Sequence, residues 1–237
     1  MPKKDVFKTK TADVVHTAVK AVISAVPLAG GPMAEFFALV VAEPSQKRRD
    51  EFCQDLYERL IELAAHNDAA KPEALASNPA FQAACVESVQ IAARSADQEK
   101  LGMLRNAVLN TALATTIEEP IRAMFMQCIE RLTVDHVRIL AIFDDPLAIE
   151  AVQTKIKGIM AGGAMIVVEA AAPDLAKRPE WLSLIIRDLT TSSLLGDPNL
   201  NTMMTPSGIG ARRTTNLGRD FLNFLRDPIS GELPQKR

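Results

Sequence analysis

The sequence predicts a mainly α fold, an irregular helical bundle followed by a small α+β module. Apolar residues recur at helical spacing in one segment after another up to about residue 145. Aromatic residues make up only 5% of the chain, with one Trp and one Tyr, which disfavours strand-rich architectures. After Pro146 the texture changes, with Gly pairs, a Pro/Gly-rich loop and two short runs suited to strands. The boundaries read as a bundle over 1–132, a module over 133–227 and a loose tail over 228–237.

The first unit, 14–42, is an apolar hairpin. Ala21 to Ala34 carries no charge, and its centre runs Val26, Pro27, Leu28, Ala29, Gly30, Gly31, Pro32, with Phe36 and Phe37 following. Pro and Gly break it into two arms, each shorter than the roughly 20 apolar residues that a spanning helix needs. Next, Phe52, Leu56, Leu60 and Leu63 mark a helix opening near Pro44, with Asp55 and Arg59 at pairing distance. Asp68 to Ser77 reads as a loop. Asn78-Pro79 caps and starts a helix along Phe81, Cys85, Val89 and Ala92. Asp97 starts another, along Leu101, Leu104 and Val108. Thr116 to Glu119 fits a capping box ahead of Ile121, Phe125, Cys128 and Leu132. Thr133 caps a helix through Val137, Leu140 and Ile142, stopped by Asp144-Asp145-Pro146.

In the module, Leu147 to Met160 is a further helix, and Met165 to Val168 reads as a strand or a helix start. Pro179 opens a helix with Trp181, Leu184, Ile185 and Leu189 on its apolar side. Thr202 to Met204 and Arg212 to Thr215 read as two strands around the Pro206–Gly210 loop. Leu217, Phe221 and Leu225 align on a last helix.

Charge is uneven. The first 34 residues hold five Lys and two Asp, residues 50–174 hold nineteen acidic and ten basic groups, and residues 175–237 hold nine basic and six acidic. An acidic middle argues against nucleic acid running over the whole body and leaves the two ends as polyanion contacts. Cys53, Cys85 and Cys128 lie in apolar helical stretches without CxxC spacing, and His16, His66 and His136 stand apart from them. They read as small buried hydrophobes in a reduced cytoplasm, and no metal or other cofactor is expected. There is no GxSxG, Walker or HExxH pattern, so no enzyme is expected. Glu118 and Glu119 read as helix-start residues and His136 as a surface or satisfied imidazole.

Helix, turn, hairpin, helix is the order at the end of a winged-helix domain. Arg213 to Leu222 resembles the close of winged-helix regulators, where the second wing strand enters a T-x-x-G-x-x-x-L helix start. That resemblance places Pro179–Ser192 as recognition helix and Thr205–Ala211 as wing tip. It implies a contact to DNA through Ser183, Arg187, Arg212 and Arg213, or a winged helix used for protein contacts. The helix face of Glu180, Ser183, Arg187 and Thr190 is nearly neutral, which favours protein contacts. The whole chain also resembles uncharacterised bacterial helical proteins that share the V-P-x-x-G-G-P hairpin, a K-R-R-D-E-F helix start and a T-M-M-x-x-S-G…R-T-T-x-L-G ending. Here these are Val26–Pro32, Lys47–Phe52 and Thr202–Gly218.

The hairpin has two readings. As a bundle's central hairpin it is core, consistent with its being apolar nearly all round. As a membrane-active segment it is flanked by Lys3, Lys4, Lys8 and Lys10 before and Lys47, Arg48 and Arg49 after, as interfacial segments are. It is then similar to the opening of HeLo-type cell-death domains, which permeabilise membranes. The expected function is non-catalytic interaction with a protein partner or with itself. The alternatives are a membrane-active bundle protein and a DNA-binding regulator. The expected location is the cytoplasm, with a peripheral place at the inner membrane face on the second reading.

Overall fold

The computed structural model describes residues 43–113, 117–196 and 200–234. The apolar hairpin 14–42, with Val26, Pro27, Leu28, Gly30, Gly31, Pro32, Phe36 and Phe37, lies outside the described residues. The chain divides into two compact units, Met1–Gln46 and Lys47–Arg237. Of the first, only Glu43–Gln46 are described, as the opening turn of α1 (Glu43–Ala64).

The second unit is helical, as its periodicity predicts. In α1, Phe52, Leu56 and Leu63 are buried. The expected Asp55–Arg59 pair is not made. Arg59 instead reaches Glu62 and Asp227, each at 2.6 Å, and Asp55 pairs with Arg105 at 3.0 Å. The predicted loop 68–77 is tighter than expected. A 3-10 turn, Asp68–Ala70, and α2 (Pro72–Ala76) are pinned by buried Ala70 and Leu75. Asn78 caps α3 (Pro79–Arg94), accepting from Phe81 N–H at 3.1 Å. Asp97 caps α4 (Gln98–Ala112), whose second half is buried on all sides.

Of the capping box expected over Thr116–Glu119, Thr116 lies outside the described residues. Helix α5 (Glu119–Arg131) begins only at Glu119, after Glu118. Pro120 is the reason. Started from Thr116, the helix would put Pro120 where the first intrahelical N–H is needed, and Pro has none. Glu119 pairs with Arg122, its Oε2 accepting from Nε at 2.9 Å.

Helix α6 (Val134–Asp144) follows, then a Pro146–Ala148 3-10 turn and α7 (Glu150–Lys157). Met165 to Val168 is helical, as part of α8 (Met165–Ala171). After α9 (Pro173–Ala176) come α10 (Pro179–Thr191), α11 (Pro206–Ile209) and α12 (Asn216–Leu225).

No β-strand occurs among the described residues, so the predicted α+β character of the module is corrected. Thr202–Met204 and Arg212–Thr215 do not pair with each other. Met204 bridges Gly162 and Thr214 bridges Leu195, each as a single antiparallel pair. Thr205 is the cause. Its hydroxyl accepts from Gly208 N–H at 3.3 Å, opening α11 where a wing tip was expected. A helical turn there points the chain away from a hairpin return.

One core unites helices on both sides of residue 132. Phe125 of α5 stacks on Phe221 and Phe224 of α12, with ring centroids 5.2 and 5.6 Å apart. The tail also folds back. Asp227 N–H donates to Glu232 O at 2.8 Å, and Pro234 lies against Gly102. Among the described residues no helix is long and apolar enough to cross a membrane.

Candidate functional site

The surface of α10 is set by its apolar stripe. Leu182, Ile185 and Leu189 point inward, and that rotation leaves Ser183 and Arg187 exposed one turn apart. These two predicted contacts therefore share an outward face. Arg187 is 3.9 Å from Asp188, so a carboxylate offsets the one cation of that pair.

The predicted contacts Arg212 and Arg213 are committed elsewhere. Arg212 is half-exposed, but its Nε donates to Asp144 O at 2.7 Å and lies 3.3 Å from the Asp144 carboxylate. That is a cation on the negative end of α6. Arg213 is a clamp. One terminal nitrogen donates to Ile209 O at 3.0 Å and Ala211 O at 2.7 Å, the other to Gly208 O at 2.8 Å. Its guanidinium sits 5.7 Å from the Phe143 ring, and burial lowers its pKa. These bonds tie Arg213 to Gly208 and Ile209, the last two residues of α11, and to Ala211 just beyond it. A phosphate would have to break them.

His136, in the first turn of α6, is a buried imidazole with Nδ1 satisfied and not a surface one. It is only 3% exposed. As the third residue of α6 it takes the Glu/Gln place of a capping box. Thr133 N–H donates to its Nδ1 at 3.2 Å, and Thr133 Oγ1 lies 2.8 Å from the same atom. With Nδ1 accepting, the neutral ring carries its proton on Nε2. That atom is buried, has no hydrogen-bond partner, and sits 3.6 Å from Asp188 Oδ2 of α10. Trp181 meets the ring edge-on at 5.9 Å and donates its indole N–H to Asp135 at 2.8 Å. A His at the third helical position after Thr was the signal in the sequence, but only packing against α10 buries it.

Thr133, His136 and Asp188 stand in hydroxyl–imidazole–carboxylate order, yet the arrangement is a cap. The imidazole is closed to substrate, and Thr133 is bound into the helix start. The thiols are not activated either. Burial raises the pKa values of Cys53, Cys85 and Cys128, that of Cys85 to about 12. Among the described residues no group of three or more His, Cys, Asp or Glu is placed to hold a metal ion.

What the surface does offer is apolar. Met160 is 94% exposed, Met203 70% and Leu147 47%. Met160 and Met203 flank the Gly162–Met204 bridge, and Leu147 lies against Gly210 at the end of α11. Compared with protein-family models, curated proteins and solved structures, the chain matches none.

Proposed function

We propose that the chain acts without catalysis, by self-association or protein–protein contact through its C-terminal helical module. The observation that carries this reading is the exposure of Met160 and Met203 beside the Gly162–Met204 bridge, and of Leu147 against Gly210 at the end of α11. Large apolar side chains so exposed lose nothing further by remaining in water, but gain by burial against a partner. Methionine suits that role because its unbranched thioether adapts to the surface it meets. The engagement of Arg213, and the carboxylates beside Arg187 and Arg212, favour protein contact over DNA reading.

Sedimentation velocity tests it. The expected result is a concentration-dependent dimer that Met160→Asp with Met203→Asp shifts to monomer while circular dichroism stays unchanged. A monomer at every concentration overturns self-association. A second reading, supported by the charge-free run Ala21–Ala34 between basic flanks, is membrane activity through 14–42. It predicts salt-resistant flotation with anionic liposomes that Leu28→Asp reduces.

A further inference from the structure

We propose that the junction of α6 and α10 is a proton-operated coupling, with His136 as its moving part. In the neutral state Nδ1 is the acceptor that caps α6, and Nε2–H faces Asp188 without closing a hydrogen bond. A proton taken from solvent can bind only at Nδ1, which carries the one in-plane lone pair of the neutral ring, the pair that accepts from Thr133. Two consequences follow from geometry. Thr133 N–H loses its acceptor, and Thr133 Oγ1 turns from donor to acceptor, so one bond of the cap is lost. At the other side of the ring, the imidazolium Nε2–H draws Asp188 from 3.6 Å toward charge-assisted hydrogen-bond distance. The same event loosens the start of α6 and tightens α10 against it.

The surrounding charges make the balance sensitive. Asp188 of α10 and Asp135 of α6 favour the imidazolium, and Arg131, at the end of α5, opposes it. Arg131 also donates to Ser192, the C-cap of α10. Arg178 lies over the Trp181 ring at 5.4 Å. Burial is the largest influence and holds the His136 pKa below its ordinary value. A His depressed in the folded state binds its proton more readily when unfolded. Its penalty is absent above about pH 6.5, and stability falls as pH drops from there toward the folded-state pKa. The coupling stands apart from the contact reading, since Ser183 and Arg187 ride on α10 whatever that face meets.

Trp181 is the one tryptophan of the chain, so tryptophan emission, excited selectively over Tyr57, reports this junction. We expect the emission of the full chain to titrate with a midpoint below about 6.5 between about pH 8 and about pH 5. His136→Gln should abolish that titration and flatten the loss of thermal stability over the same range. Gln is the ordinary residue at this place in a capping box and can still accept from Thr133 N–H. Asp188→Asn should lower the wild-type midpoint by about half a unit or more, because a charge that favours the imidazolium is gone. A titration that persists in His136→Gln overturns the proposal, as does a midpoint raised by Asp188→Asn. Should His136→Gln fail to fold, imidazole nitrogen NMR of the native chain decides. A neutral Nε2–H tautomer titrating below the ordinary histidine value of about 6.5 supports the coupling, and an Nδ1–H tautomer overturns it.

Discussion

Gly218 stands where a side chain meets backbone. A Cβ there would lie 2.0 Å from Leu194 O. The approach is fixed from both sides. Thr215 N–H donates to that carbonyl at 3.1 Å, and Thr215 Oγ1 caps α12 by accepting from Gly218 N–H at 2.9 Å. The T-x-x-G spacing in the sequence is thus a cap plus a close approach, and both survive without a wing. Replacing Gly218 by Ala should cost about 2–4 kcal/mol, because backbone rather than a flexible side chain must move. Urea denaturation would measure it, and a cost under about 0.5 kcal/mol would contradict the contact. Arg213 carries the opposite lesson. Its place in the sequence suggested an exposed cation, and its surroundings make it a clamp.

At the scale of elements, α4 holds the end of α12 through two asparagines one turn apart. Asn106 Nδ2 donates to Leu225 O at 2.9 Å, and Asn110 Nδ2 donates to Phe224 O at 2.9 Å and Arg226 O at 2.8 Å. Both side chains are buried, and so is Asp227, which binds Arg59 just beyond. A helix end inside a core needs such donors, since its last carbonyls lack partners of their own. Asn110→Ala should therefore cost about 2 kcal/mol by stranding those carbonyls. Asn110→Asp should cost more, because a carboxylate cannot donate and adds negative charge at the negative end of α12. Finding the Asp variant as stable as the Ala variant in chemical denaturation would sink this account. Neither Asn announces itself in the sequence. Both sit in the apolar pattern of α4 as polar interruptions, and their partners are more than a hundred residues away.

For the molecule as a whole, the shared core matters more than the order of segments. Residues before and after 132 meet at Phe125, Phe221 and Phe224, all fully buried. Lys47–Arg237 should then unfold in one cooperative step. Urea curves followed by circular dichroism and by Trp181 fluorescence should superimpose, and Phe125→Ala should move both together by about 3–5 kcal/mol. Separate transitions for the two probes would mean that the helices before and after residue 132 are independent.

The sequence by itself determined the helical class, most helix starts and most inward faces. Those follow from 3.6-residue periodicity and from local caps such as Asn78, Asp97 and Thr215, which need no distant partner. Only the tertiary structure decided the rest. Thr202–Met204 and Arg212–Thr215 have strand-like composition, yet Gly162 and Leu195 take their pairing groups, so no hairpin forms. Arg59, expected to pair with Asp55, is held instead by Glu62 and by Asp227, 168 positions away. His136 becomes a buried, proton-sensitive group because α10 closes over it. Each outcome depends on which groups the fold brings within hydrogen-bonding reach, and local pattern holds no information about that.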